Sequence, residues 1–387
     1  MNRMKYKSSA FLTVIAVVIA SLMAFSVGCV KKEEKEIKIG AILPLTGDAA
    51  LYGDSIKKGV DLALIQINSK GGIKGRPVTV IYEDSKAVPA DGVAAFQKLV
   101  DFNRVIAVIG DAVSSVTLAF APIAEKNRVV VLSPLSSAPA LTNAGDFIFR
   151  NVPSDLYGGR VAAYFAVKDQ GWQKLAILYI NNDFGVGLKR VFSENVESFG
   201  SKSKIVAGEA YEPGARDFRT QLLKIRATNP EAIFIVGYGE VPQILIQAKE
   251  IGLKTKILGT GLLEDPNVIK VAKEAAEGIY FTQLQYDANS NDPLVMTFVG
   301  TFNKKYNAKP DIIAAYGYDA VELLSFAIER SNLTSEGIRD QLYKVKNFHG
   351  VTGDFTFDKS GDVIQPLGIK TVRNGQFVWF KNKISIE

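Results

Sequence analysis

Cysteine and histidine are almost missing from this chain of 387 residues, which contains one of each, Cys29 and His349. A lone cysteine cannot form a disulfide within the molecule, and a zinc site needs several Cys or His ligands. Catalysis by a Ser-His-Asp or Cys-His arrangement needs an imidazole beside the nucleophile, whereas His349 lies in the loop-like segment Phe348-His349-Gly350. The sequence therefore predicts neither a metal site nor these kinds of hydrolase, and it predicts His349 to be an ordinary loop residue.

Patterns that bind nucleotides or nucleic acids are also missing. No strand is followed by a P-loop or a G-x-G-x-x-G turn, and no basic block is interleaved with aromatic residues. Paired carboxylates remain at Glu83-Asp84 and Glu264-Asp265, but adjacent acids in loop-like segments are usually solvated or cap helices. We therefore expect no catalytic residues, no cofactor and no nucleic-acid partner.

The amino-terminal residues have the pattern of an export signal. Three basic residues precede an apolar run over residues 10–27, and the small residues Ser26-Val27-Gly28 come directly before Cys29. This arrangement resembles a bacterial lipoprotein signal peptide over residues 1–28, with Cys29 acylated and residues 29–36 acting as a tether. The alternative is an uncleaved anchor helix, although the apolar run is short for a spanning segment. Removing residues 1–28 lowers the formal net charge from +6 to +3, which is an ordinary surface.

The rest of the chain alternates apolar strands with amphipathic helices. The first strand is Ile37–Leu43, and a helix opened by Asp54 or Ser55 follows it; the same alternation starts again at Leu156. Such an order predicts two α/β units, each with a parallel sheet covered on both faces. The segment after the second unit has too few elements for a core of its own, so we expect it to complete the first two.

Two serine-bearing turns lie within the stretch Val105–Thr142. Each follows a short apolar strand, and Ser114 and Ser137 lie in these turns. Ligands of open α/β sheets bind at the carboxyl ends of the strands, where the next helix offers unpaired N–H groups. We therefore expect Ser114 and Ser137 to grip a small molecule, unless they only cap helices.

Several segments resemble the periplasmic solute-binding proteins of the leucine/isoleucine/valine-binding type. They run in order through nearly the whole chain after the leader: GAILPLTG at Gly40–Gly47, Tyr52-Gly53-Asp54, INSKGGIKG at Ile67–Gly75, VIGDAVSSVT at Val108–Thr117, LSPLSSAPALT at Leu132–Thr142, Phe149-Arg150, Gly187, and Gly252-Leu253-Lys254-Thr255.

The resemblance implies two Rossmann-like lobes joined by a three-segment hinge, the Venus flytrap fold of the type I periplasmic binding proteins. The hinge segments map near Val152–Ser154, Phe281–Gln285 and Asp358–Asp362. The lobes then comprise residues 37–152 with 285–358, and residues 153–284 with 359–387. The ligand would lie between the lobes, so that its contacts favour the closed geometry.

The resemblance also assigns candidate ligand contacts. The α-carboxylate of an amino acid would be held by Ser114 and by the turn containing Leu135, Ser136 and Ser137. Tyr52 and Tyr238 match positions that pack on the ligand.

Two positions depart from the family pattern. Phe184 stands where leucine-binding members have a tyrosine, and Gly261 aligns close to the glutamate that pairs with the ligand ammonium. A buried ammonium without a carboxylate is costly. Either another acid substitutes, with Asp111, Asp183, Glu240 and Glu264 as candidates, or the ligand has no amino group.

The sequence thus predicts a substrate-binding lipoprotein of an ABC importer, exported to the periplasm or the cell surface and working as a monomer with a permease. Its ligand would be a small carboxylate-bearing solute, first a branched-chain or other aliphatic amino acid. The alternatives are an aromatic or other organic acid, or a ligand-sensing receptor component.

Overall fold

The computed structural model describes residues 36–384 and 386. The predicted signal peptide, Cys29 and all of the tether except Glu36 lie outside the described residues. Within residues 36–384, no helix combines the length and the apolar character needed to cross a membrane.

The first half of the described chain forms a five-stranded parallel sheet in the order β2-β1-β3-β4-β5. Four of its strands are nearly all buried, as expected for a parallel sheet covered by helices, and the edge strand β2 is mostly half-buried. The elements are β1 (Ile37–Leu43), α1 (Ala50–Ser69), β2 (Val78–Asp84), α2 (Pro89–Lys98), β3 (Ala107–Gly110), α3 (Ser114–Asn127), β4 (Val130–Ser133) and β5 (Ile148–Arg150).

A second sheet repeats the same alternation. Five of its seven strands are parallel, in the order β10-β9-β8-β6-β7. The elements are α4 (Asp155–Tyr164), β6 (Lys174–Ile180), α5 (Asp183–Phe199), β7 (Lys204–Tyr211), α6 (Arg219–Ala227), β8 (Ala232–Val236), α7 (Val241–Glu250), β9 (Lys256–Gly259), α8 (Pro266–Ala272) and β10 (Tyr280–Leu284).

The remaining elements return to both sheets. Helix α10 packs against α1 so closely that a Cβ on Gly59 would lie 1.9 Å from the carbonyl oxygen of Ala314. Strands β13 and β14 then add antiparallel to the edge of the second sheet at β10. These elements are α9 (Pro293–Tyr306), α10 (Ile312–Arg330), α11 (Ser335–Leu342), β11 (Phe348–Gly350), β12 (Gly353–Phe355), β13 (Leu367–Arg373) and β14 (Gln376–Lys381).

The chain therefore passes three times between the two sheets, after β5, after β10 and after β12. The first and third passages are tied together, because Pro153 bridges Val363 and the buried Arg150 pairs with Asp362 at 2.6 Å. The residues at which the two lobes divide stay a prediction.

One helix begins earlier than the sequence predicts. Helix α1 begins at Ala50 rather than at Asp54 or Ser55, because neither side chain serves as its cap: Ser55 donates to Asp311 and Asp54 pairs with Lys58. His349 also differs from the prediction, since it lies in the short strand β11 and not in a loop.

Candidate functional site

The two predicted serine turns meet at the carboxyl edge of the first sheet. Ser114 is the first residue of α3, and its hydroxyl oxygen accepts a hydrogen bond of 3.2 Å from the backbone N–H of Ala138 in the neighbouring turn. Helix α3 has no side-chain cap, so Ser114 is not one. Its hydroxyl hydrogen is available to a ligand because an accepted hydrogen bond uses only a lone pair.

Ser137 bonds to the helix that follows β5. Its hydroxyl donates to Oδ2 of Asp155 at 2.9 Å, and its carbonyl accepts from the Asp155 N–H at 2.8 Å. The cap of α4 is Ser154, whose side chain accepts from the N–H of Leu156. Neither serine is therefore a helix cap. The alternative that Ser114 and Ser137 only cap helices is thus excluded.

Ser136 differs from the prediction because its side chain faces the scaffold. Its hydroxyl lies 2.8 Å from both the Thr117 hydroxyl and the Asp111 carbonyl, and its N–H donates to Ser133. These bonds connect the two turns and use both hydrogen-bond donors of Ser136, its hydroxyl and its N–H.

Ser114, Leu135 and Ser137 line a cavity between the two lobes, together with Phe184, Tyr238 and Gly261 of the second lobe. Six of the eight predicted binding residues thus share one cavity. Its volume is about 110 Å³, which suits a small solute. Further lining residues come from both lobes and the hinge: Val152, Leu188, Thr260, Leu262, Thr282, Gln283, Leu284, Ile312, Ile313, Tyr316 and Leu367.

An aromatic wall closes one side of the cavity. The rings of Phe184 and Tyr238 stack with their centroids 5.2 Å apart, and the Tyr52 ring meets Tyr238 edge-on at 6.1 Å. Tyr52 does not line the cavity itself; it lies behind Tyr238 and borders an adjoining space with Gly261 and Leu262. Its contact with the ligand stays a prediction, and in this structure its ring contacts the wall.

The space beside Gly261 is filled by a neutral side chain. The carboxamide of Gln283 donates to the Gly261 carbonyl at 3.1 Å, and a Cβ on Gly261 would lie 3.0 Å from the Gln283 Oε1. An amide thus occupies the region into which a longer side chain at position 261 would project.

None of the four predicted substitute acids lines the cavity as the structure describes it. Asp111 is buried behind the serine turns and accepts from the Ser85 hydroxyl, and Asp183 is exposed. Glu240 accepts from the Tyr211 hydroxyl at 2.6 Å, and Glu264 pairs with the buried Lys370.

The cavity carboxyl group is instead Asp155, which sequence reasoning missed. It is only 8% exposed, and its Oδ1 accepts no hydrogen bond from the residues that the structure describes. Burial raises the pKa of Asp155 to about 7, although the Ser137 hydroxyl and the Arg150 guanidinium both favour the carboxylate. Its position in the sequence was the available signal. Asp155 follows β5, and β5 lies next to β4, the strand that is followed by the turn with Ser137.

The lobes touch each other around the cavity. Asp48 and Arg216 form an ion pair of 2.6 Å across the mouth. On another side, Gly187 of α5 lies against Pro139, so closely that a Cβ on Gly187 would be 2.8 Å from the proline ring. A solute in the cavity is therefore enclosed by parts of both lobes.

Comparison with known proteins decides the family. The model of the periplasmic binding protein family matches residues 36–376. The chain belongs to this family. It is of the leucine/isoleucine/valine-binding type, and both the predicted family and the predicted two-lobe fold are confirmed.

Named relatives support the same assignment. The Leu/Ile/Val-binding protein of Escherichia coli K12 is 28% identical over 352 residues, which cover 90% of this chain and 92% of that protein. The leucine binding protein LivK of Thermotoga maritima is 31% identical with a TM-score of 0.83, covering 89% of this chain and 97% of that one. The protein LivJ of Streptococcus pneumoniae, in complex with isoleucine, is 30% identical with a TM-score of 0.81, covering 89% and 98%.

A benzoate complex shares the fold alone. The solute binding protein of Rhodopseudomonas palustris is 20% identical with a TM-score of 0.82, covering 90% of this chain and 96% of that one. Periplasmic binding proteins of this type are exported solute-binding proteins of ABC transporters rather than enzymes.

Proposed function

We propose that this periplasmic binding protein is a lipid-anchored importer component that captures a small carboxylate-bearing solute. A branched-chain or other aliphatic amino acid is the first candidate. The observation that carries the proposal is the polarity of the cavity: hydroxyl and N–H donors of the first lobe face an apolar and aromatic wall of the second.

The donors suit a carboxylate. Ser114 lies in the first turn of α3, where its hydroxyl and the unpaired helical N–H groups can donate without adding formal charge. The apolar wall then contacts the ligand side chain. Phe184, Leu188 and Leu262 form the kind of surface against which an aliphatic chain is buried well.

Asp155 supports an amino acid over a simple acid. Its Oδ1 is close to the proposed carboxylate subsite, because Oδ2 bonds to Ser137. In an α-amino acid the ammonium and the carboxylate are attached to the same carbon, so one ligand can reach Ser114 and Asp155 together. An ionised Asp155 would offset the desolvation of the ammonium.

An aromatic or other organic acid is the second candidate. It is favoured by the amide of Gln283 beside Gly261, since a neutral group there offers no charge to an ammonium. A sensor component would use the same cavity, and the gene neighbourhood distinguishes the two roles: permease genes favour transport, and a histidine kinase gene favours sensing.

A thermal-shift screen tests the ligand class, because a ligand that binds only the folded protein raises its melting temperature. We expect leucine, isoleucine or valine to raise it. If these and alanine leave it unchanged while benzoate-like acids raise it, the amino-acid proposal is wrong.

Ser114→Ala tests the carboxylate subsite. We expect it to weaken binding by about 1–3 kcal/mol in calorimetry, because a hydrogen bond to an ionised group is lost. Ser115→Ala is the matched control, since Ser115 lines the mouth and not the cavity. Equal affinities for the two variants would exclude Ser114 as a ligand contact.

A further inference from the structure

A groove opens at the amino-terminal edge of the first sheet, on the side opposite the solute cavity. It lies beside the starts of β1, β2 and β3, whereas the cavity lies at the carboxyl ends of β3 and β4. We call it the Phe102 face; its lining includes Lys38, Arg76, Phe102, Arg104, Ile106 and Leu333.

The Phe102 face presents an aromatic ring to the solvent. Phe102 is 82% exposed, more than any other large apolar side chain among the described residues. It belongs to the turn Leu99–Asn103 that ends α2, in which Leu99 is fully buried and fixes the backbone. Such a ring on a rigid support favours a partner with an apolar layer.

The groove also carries positive charge. Lys38 and Arg104 line it, and Glu36 pairs with Lys38 at 3.3 Å. Arg104 is exposed and forms no ion pair with another described residue. Cations around an aromatic ring match the interface of an anionic bilayer, where phosphates lie above the acyl chains.

The chain outside the described residues leaves from the same place. Glu36 lines the groove, and seven residues, 29–35, separate it from Cys29. A chain of that length spans at most about 25 Å. This step depends on the proposed function, in which Cys29 carries the lipid. The tether then holds the Phe102 face at least as close to the membrane as any other face.

We infer that the Phe102 face docks on the anionic surface of the bilayer to which the protein is anchored. Phe102 and Leu333 contact the acyl boundary, and Lys38 and Arg104 contact lipid phosphates.

Tryptophan quenching by brominated lipids tests this inference on the full chain. Phe102→Trp protein is reconstituted into vesicles of phosphatidylcholine with a minor fraction of phosphatidylglycerol, and the native chain gives the background of Trp172 and Trp379. We expect brominated acyl chains to quench most of the added emission. Leu223→Trp is the matched control, since Leu223 is 43% exposed on α6 of the second lobe, and it should stay unquenched.

Charge reversal provides the second readout. Adding Arg104→Glu to Phe102→Trp should reduce the quenching severalfold. Equal quenching at positions 102 and 223, or no quenching at position 102, overturns the proposal. Blue-shifted emission from position 102 in the absence of vesicles also overturns it. A shift that depends on protein concentration would indicate that a second copy of the chain covers the groove. A shift that is independent of concentration would indicate that residues 1–35 cover it.

Two assays on the same samples separate this proposal from the function. If the full chain does not float with the vesicles, the proposed lipid anchor is wrong, and the proposed docking of the Phe102 face is rejected as well. The melting shift caused by leucine reports solute binding independently, and neither Phe102→Trp nor Arg104→Glu touches the cavity.

Discussion

Asp155 brings a carboxyl group into an apolar cavity with one hydroxyl as its hydrogen-bond donor. Its pKa of about 7 means that, near neutral pH, the empty protein holds both ionised and protonated forms. A ligand with an ammonium selects the ionised form, whereas a ligand without one favours the neutral form. The sign of the pH dependence therefore reports the chemistry of the ligand.

We predict that the affinity for an amino acid falls as the pH drops below about 7, by up to tenfold per pH unit. Calorimetric titrations on either side of that pH measure the slope. Asp155→Asn should bind more weakly and lose the slope, because the amide does not titrate. An affinity that rises on acidification would instead identify an acid without an amino group.

The same substitution has an opposite effect on the empty protein. A carboxyl whose pKa is raised by folding destabilises the fold as the pH rises from its unfolded value near 4 to its folded value of about 7, and by a constant amount above that. Asp155→Asn should therefore raise the melting temperature of the empty protein more in alkaline than in acidic buffer. A uniform change at both would contradict the raised pKa.

Residue types and strand ends predicted Ser114 and Ser137, whereas Phe184, Tyr238 and Gly261 were predicted from the family resemblance. Ser114 and Ser137 follow apolar strands, and this pattern is visible in the sequence. Asp155 was missed because an acid in the first turn of a helix is ordinary, and its orientation into a cavity depends on the pairing of β5 with β4. Ser136 has the same residue type as Ser137, and only the local backbone decides which hydroxyl faces the cavity.

At the scale of elements, the ion pair of Arg150 with Asp362 connects the end of β5 to the segment through which the chain passes between the sheets after β12. Arg150 is 2% exposed, and its guanidinium also donates to Thr142 and to the Ala138 carbonyl. Removing one partner leaves a buried charge without compensation.

Asp362→Ala should accordingly lower the free energy of unfolding by about 3–5 kcal/mol. Urea unfolding followed by circular dichroism measures it. Asp340→Ala is the control, because its pair with Arg339 is half exposed and should cost less than about 1 kcal/mol. Similar losses in the free energy of unfolding for the two variants would show that the Arg150–Asp362 pair stabilises the fold no more than an exposed pair does.

The hairpin of β11 and β12 contains a pH-sensitive contact. Hydrogen bonds to Asp354 and Asp292 raise the pKa of His349, so the folded state favours the protonated ring. The stabilisation is complete below the unfolded value near 6.5 and is lost as the pH rises through the folded value.

His349→Gln should therefore lower the melting temperature in mildly acidic buffer and change little in alkaline buffer. The loss should stay below about 1 kcal/mol because the side chain is half exposed. A larger loss at alkaline pH would contradict this sign.

Helix starts show why elements were predicted only in part. The hydrophobic spacing along α1 was visible, but its start was misplaced because Ser55 and Asp54 look like caps in the sequence. Ser55 instead bonds to Asp311, the residue that caps α10. That contact joins residues 256 positions apart, which no local pattern contains.

At the scale of the whole molecule, Gly187 and Pro139 set how closely the lobes approach. The position in α5 tolerates no side chain without moving the proline ring. Since ligand contacts come from both lobes, affinity depends on this approach.

Gly187→Val should hold the lobes apart and weaken ligand binding at least tenfold with little effect on folding. Small-angle scattering with ligand should give a larger radius of gyration than the native protein. Gly300→Val is the matched control, because Gly300 is also helical and has no neighbour within 4 Å of a Cβ. Unchanged affinity in Gly187→Val would show that closure does not pass through this contact.

The two-lobe arrangement followed from repeated strand and helix alternation, and the comparisons confirm it. The packing of α10 on α1 could not be predicted in the same way. It depends on Gly59 and Gly317, whose missing side chains let the two helices approach each other. In a sequence, a glycine inside a helix normally indicates a less stable helix and not a helix–helix contact.

The return of β13 and β14 to the second sheet has a consequence for synthesis and export. The first lobe lacks a covering helix until α10 is made, and the second sheet lacks its edge until residue 381. Neither core can close while the chain is still short, and pairings between distant segments form slowly. Late closure keeps the growing chain unfolded for longer, which suits an exported protein.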